Sequence, residues 1–178
     1  MRENLDRFRE AQDAPHARFA AALRELQAGR KTSHWIWYVF PQLAGLGRSS
    51  TAAYYGLAGV EEAADYLRDR VLGDRLVTAA GVVRTHLAHT TARRARLEEL
   101  MGSHIDALKL VSCMTLFQHV AKALHAVDPQ PSFAGMAEHA EEVLAAAAAD
   151  GYGRCAYTEE HLRRPGLIRG QQRGEAQE

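Results

Sequence analysis

The 178-residue sequence predicts an all-α fold, a single compact multihelical domain. Three observations carry that reading. Alanine, the strongest helix former, occurs 32 times. Valine, isoleucine and threonine together number only 21, too few for a large sheet. Apolar residues recur at spacings of three and four in successive segments, and glycine, proline or polar stretches separate those segments. No internal repeat, heptad array or interdomain linker interrupts the pattern. The domain is expected to span residues 1–162, with 163–178 (RRPGLIRGQQRGEAQE) a polar, flexible C-terminal tail.

Each element has its own signals. Residues 3–12 form a short helix anchored by Leu5 and Phe8. Asp13 is a candidate N-cap for a second helix that carries Phe19, Leu23 and Leu26 on one stripe and ends at Gly29. The aromatic run SHWIWYVFPQ reads as a buried helix of about two turns, stopped by Pro41, because a lone strand has no partner in this sequence. Gly45 and Gly47 make a turn, and Ser49 or Ser50 caps a short helix in TAAYYGL. After Gly59 comes a helix with Ala63, Tyr66 and Leu67 inward, then an amphipathic helix over 71–89. A polar connection, HTTARRAR, leads to a short helix in RLEELMG. Ser103 caps a long helix to about His125. After DPQPS an alanine-rich helix runs from Ser132 to Asp150-Gly151, and YTEE forms a last capped turn.

Charge narrows the function classes. Twenty-two basic and 22 acidic residues cancel, which excludes binding driven by bulk charge, so nucleic acid is set aside as a partner on that ground. A local contact through His89, Arg93, Arg94 and Arg96 is the residual nucleic-acid option. No apolar run approaches the roughly 18 residues of a membrane span. The opening MRENLDRFRE has no apolar h-region, and Cys113 and Cys155 read as reduced thiols, so a cytoplasmic protein is expected. No motif calls for a cofactor. His86, His89 and His104 lack HExxH or CxxC spacing, so no metal ligand is assigned. Arginine outnumbers lysine 19 to 3, which makes the place of each lysine informative.

One lysine stands out. On a helical wheel of SHIDALKLVSCMTLFQHVAKAL with Ile105 at zero, Lys109 falls at roughly 40° and Asp106 at roughly 100°, both on the apolar half. Isolated charges there cost several kcal/mol, roughly, unless paired or bound to something. One reading is a structural Asp106–Lys109 ion pair; the other is a lysine and carboxylate facing a pocket. Ser112 and Thr115 extend along the same helix.

The second constellation is SHWIWYVFPQLAGLGRSS. Trp35 and Trp37 offer a stacking wall or simply core, and Ser33, His34 and Gln42 add hydrogen-bonding groups. The turn Gly45–Gly47, with Arg48 and Ser49, suits an anion, although GLGRSS is not a Walker or Rossmann fingerprint.

These two blocks, with RFREAQ and EEAADYLRDRVLGDRL, make residues 4–118 similar in order to the bacterial family called domain of unknown function 1810, some members of which are labelled calpastatin. The resemblance implies an all-helical fold and brings no activity, cofactor or catalytic set. The family's recurrent blocks fall on both constellations chosen above from helical geometry and turn chemistry.

The expected function is binding of a small anionic ligand, nucleotide-like or sugar-phosphate-like, between the aromatic–glycine segment and the 103–125 helix. Arg48 and Lys109 hold the negative charge, a tryptophan stacks, and Asp106 with His34 are acid/base candidates should the ligand be hydrolysed. The alternative is a non-catalytic helical interaction or regulatory protein with a structural buried Asp–Lys pair. Whether the protein is an enzyme, and how many copies assemble, are left open by the sequence.

Overall fold

The structure, a computed structural model, describes residues 5–14, 18–88 and 95–163. Ten helices lie among them: α1 (Asp6–Asp13), α2 (Arg18–Gln27), α3 (Ile36–Val39), α4 (Ser50–Tyr55), α5 (Val60–Arg68), α6 (Arg70–Leu87), α7 (Leu97–Met101), α8 (His104–Val127), α9 (Pro131–Ala149) and α10 (Ala156–Arg163). Only one isolated parallel bridge, Leu43 to Leu57, interrupts the all-α architecture of the described residues. None of these helices is long and apolar enough to cross a membrane.

α8 is the axis. From Leu110 to Phe117 every residue is buried, polar ones included, and α9, α5, α10 and α7 pack around it. A helix enclosed on all sides needs no polar face, and Ser112 and Thr115 return their hydroxyl protons to the carbonyls of Leu108 and Val111. α6 and α9 pack side by side. Phe8, Tyr66, Leu72, Leu76, Val83, Phe117 and Met136 belong to one continuous apolar cluster.

Caps place the helix starts. Ser49 Oγ accepts from Ala52 N, Asp69 from Val71 N and Leu72 N, and Ser103 Oγ from Asp106 N. Gly29 (φ +80°) and Gly151 (φ +91°) follow the ends of α2 and α9.

Several sequence expectations shift. Asp13 is the last residue of α1 rather than an N-cap, and its carboxylate takes a hydrogen bond from Arg75 at 2.7 Å. The aromatic helix is a single turn, α3, because Trp35 turns inward before it and Phe40 leaves helical geometry ahead of Pro41. Ile105, expected on the apolar half of the helix, is 64% exposed. The first turn of α8 protrudes beyond the core, so wheel position there does not predict burial. His89, Arg93, Arg94 and the tail from residue 164 lie outside the described residues.

The α7–α8 corner fixes a further chain segment. Lys31 N donates to Leu100 O at 2.8 Å, and Gly102 (φ +76°) passes so close that a Cβ would stand 2.6 Å from Lys31 O. Gly102→Ala therefore meets both a left-handed backbone and a fixed carbonyl. Chemical denaturation should show a loss of about 2 kcal/mol or more.

Candidate functional site

Two carboxylates organise the segment that enters the site. Glu25, on α2, accepts from Thr32 N (2.7 Å), Ser33 N (3.0 Å), Ser33 Oγ and Trp35 Nε1 (2.8 Å). Burial pushes its carboxyl up, but the hydrogen bonds from Ser33, Thr32 and Trp35 outweigh that and bring it down to about 2. Trp35 is thereby pinned inside the core, and Trp37, two residues on, is only partly buried.

Asp106, in the first turn of α8, sits between two of the protein's three lysines. Lys31 Nζ is 2.6 Å from Oδ2 and Lys109 Nζ is 3.0 Å from Oδ1. Burial raises the Asp106 carboxyl, and the hydrogen bonds and charges of Lys31 and Lys109 more than reverse it, leaving it below the ordinary carboxylate value. Lys31 is buried, donates also to Ser33 O at 2.7 Å and lies 5.2 Å from the Trp35 ring centre. Lys109 lies 4.3 Å from the Trp37 ring centre. The trio carries one surplus positive charge, and Lys109 delivers it to the surface.

That surface is a cavity of about 560 Å³ between the turn after α3 and the first turns of α8. Gln42, Gly47, Arg48 and Ser49 line one side, and Lys109, Ser112 and the apolar Ile105, Leu108 and Val111 line the other. Trp37 also lines it. The segment Gly153–Ala156 adds a third wall with Arg154 and Cys155. Arg154 donates to Gln118 Oε1 at 2.7 Å, and Tyr157 Oη donates to Ala44 O at 2.9 Å, tying this wall to α8 and to the turn. Three cationic side chains and no carboxylate are among the described lining residues.

Gln42 is 9% exposed. Its backbone is fixed: its carbonyl accepts from Leu57 N at 2.9 Å, beside the Leu43–Leu57 bridge. Among the described residues its side-chain amide has no hydrogen-bond partner.

Seven sequence-predicted residues thus share one cavity: Trp37, Gln42, Gly47, Arg48, Ser49, Lys109 and Ser112. Six do not line it. Ser33 is engaged by Glu25, His34 is exposed, and Trp35 is core. Gly45 (φ +93°) lies against the Tyr157 hydroxyl, Asp106 sits behind Lys109, and Thr115 is buried against its own helix. Sequence reasoning missed Lys31, whose scarcity as one of three lysines was the available signal. It also missed Arg154 and Cys155, whose segment carries no motif.

A larger groove, about 890 Å³, lies beside Arg30, Arg96 and Asp150. Its chemistry is turned inward: Tyr152 Oη donates to Glu98 at 2.9 Å and stands 3.1 Å from His104 Nδ1. Among the described residues no cluster of three or more His, Cys, Asp or Glu is placed to hold a metal.

Fold and site together define a helical protein with a ligand-sized cationic cavity beside an Asp–Lys cluster. Residues 2–139 match the family described as Protein of unknown function (DUF1810), and the chain belongs to that family. The match continues past Gln118, where the sequence resemblance fades. The conserved hypothetical protein Rv1873 from Mycobacterium tuberculosis has a crystal structure similar to this one. Its identity is 35% and its TM-score 0.64, over 88% of this chain and 94% of that one. No curated protein matches.

The depressed Glu25 carboxyl has a pH signature. Its contribution to stability is present above the ordinary carboxylate value of about 4.3 and is lost as pH falls through the folded value near 2. Acid titration of stability should show that loss between about pH 4.5 and pH 2, and Glu25→Gln should flatten it, costing about 1–2 kcal/mol at neutral pH after solvent screening.

Proposed function

We propose that the protein binds a small anionic ligand, nucleotide-like or sugar-phosphate-like, in the cavity at Lys109. The observation that supports this best is the convergence of Arg48, Lys109 and Arg154 on one partly apolar space without an opposing carboxylate among the described lining residues. Its size suits a drug-sized molecule, since such sites hold roughly 300–1,000 Å³. Lys109 keeps donors free beyond Asp106, and Lys31 shares the work of neutralising that carboxylate.

Binding is favoured over turnover. The expected acid/base pair is not assembled: His34 and Asp106 do not line the cavity, and Asp106 is held as an anion by two lysines. A second reading, a non-catalytic interaction or regulatory protein, draws on Ile105 and Leu108 (64% and 45% exposed) at the cavity.

Thermal shift against nucleotides and sugar phosphates discriminates the two. A ligand at about 100 times its Kd stabilises by about 2.7 kcal/mol, which for a chain of this size is a Tm rise of roughly 5–10 °C. Lys109→Met and Arg48→Ala should abolish most of that rise while leaving the ligand-free Tm within about 2 °C, since Asp106 retains Lys31. A panel in which no anion stabilises wild type more than these variants favours the interaction protein.

A further inference from the structure

We infer that the ligand carries, besides its anionic group, a planar ring with a hydrogen-bond donor and acceptor side by side on its edge, as a nucleobase does, and that Gln42 reads that edge. The inference rests on the anion-binding reading and adds the ring.

The argument starts from what Gln42 lacks. A primary amide offers two N–H donors and a carbonyl acceptor. Here it is nine-tenths buried and lines the cavity, with no hydrogen-bond partner for its side chain among the described residues. Neither of its amide atoms is among the fully enclosed side-chain atoms that lack a partner, so the amide opens on the cavity and is free to pair with an occupant. Its position is not accidental slack in a loop. Pro41 precedes it, and the Leu57 N–H to Gln42 O hydrogen bond and the Leu43–Leu57 bridge hold its backbone.

A bare phosphate does not complete this group. Phosphate oxygens accept hydrogen bonds, so the two amide N–H donors would be satisfied and the Gln42 carbonyl would face negative charge. A sugar phosphate offers hydroxyls of both kinds, but the rest of the cavity argues against it. Leu46, Ala52, Ile105, Leu108 and Val111 give the walls an apolar character, and sugar hydroxyls set against them would lose water without gaining partners. A planar heterocycle resolves both conditions. Its faces take the apolar walls, and its edge pairs donor to acceptor with the amide, the geometry by which glutamine reads adenine. The anionic group then lies toward Arg48, Lys109 and Arg154. A volume of about 560 Å³ has room for both parts.

The test compares ligands on the intact chain before any mutation. Calorimetry should give adenosine or uridine 5′-monophosphate an affinity at least tenfold above ribose 5-phosphate and inorganic phosphate. Gln42→Leu, with its Tm checked against wild type, should remove that tenfold difference and leave ribose 5-phosphate within twofold of its wild-type affinity. If ribose 5-phosphate binds wild type as tightly as the nucleotides, or if Gln42→Leu keeps the nucleotide preference, the ring is wrong and the anion site stands. If Lys109→Met leaves all affinities unchanged, or none of the probes binds at millimolar concentration, the anion reading falls and the ring with it.

Discussion

Burial of α8 on nearly every side is the constraint around which the described structure is arranged. A 24-residue helix with an enclosed middle cannot be covered by one neighbour, so α5, α7, α9 and α10 all contribute surface to it. The same constraint creates the site. At its N-terminal end α8 leaves that enclosure, and there Asp106 and Lys109 replace apolar side chains. Ionic groups are tolerated at that end because Lys31 and Lys109 compensate the carboxylate, and the Trp35 and Trp37 rings lie near the ammonium groups. A charge cluster of this kind does not by itself stabilise a fold relative to apolar packing. Its effect is to fix where Lys109 points.

Positioning of that cluster depends on the segment before α3. Glu25 gathers the backbone of Thr32 and Ser33 and the indole of Trp35, and Gly102 lets Lys31 approach the α7–α8 corner. The Lys31 contacts to Leu100 and Asp106 join residues far apart in sequence and tie the segment before α3 to the α7–α8 corner. Neither Glu25 nor Gly102 belongs to the chemistry proposed for the site.

Local signals in the chain were enough for the helices and their caps. Ser103 is the N-cap the sequence indicates, and of the two candidates Ser49 and Ser50 it is Ser49 that caps α4, because a serine before a periodic apolar run accepts from the first free amides. Asp13 was misread since an aspartate near a proline also looks like a cap, and its long-range tie to Arg75 leaves no sequence trace. The wheel of α8 singled out Asp106 and Lys109 for a sound reason, charge on an apolar stripe, yet misplaced Ile105 because periodicity carries no information about where a helix leaves the core. Part of the cavity wall is legible as motif, in Trp37, Gln42 and the Gly47–Ser49 turn. Lys31, Arg154 and Cys155 reach the region only through tertiary packing, which spacing cannot reveal.

The latch from Tyr157 to Ala44 O ties the wall Gly153–Ala156 to the turn. That wall lies beyond residue 139, where the family match ends. The family match therefore covers the floor of the cavity and not its roof, although the similarity to Rv1873 runs over 88% of the chain. A ligand identified for one relative transfers to another only where the roof has been compared as well.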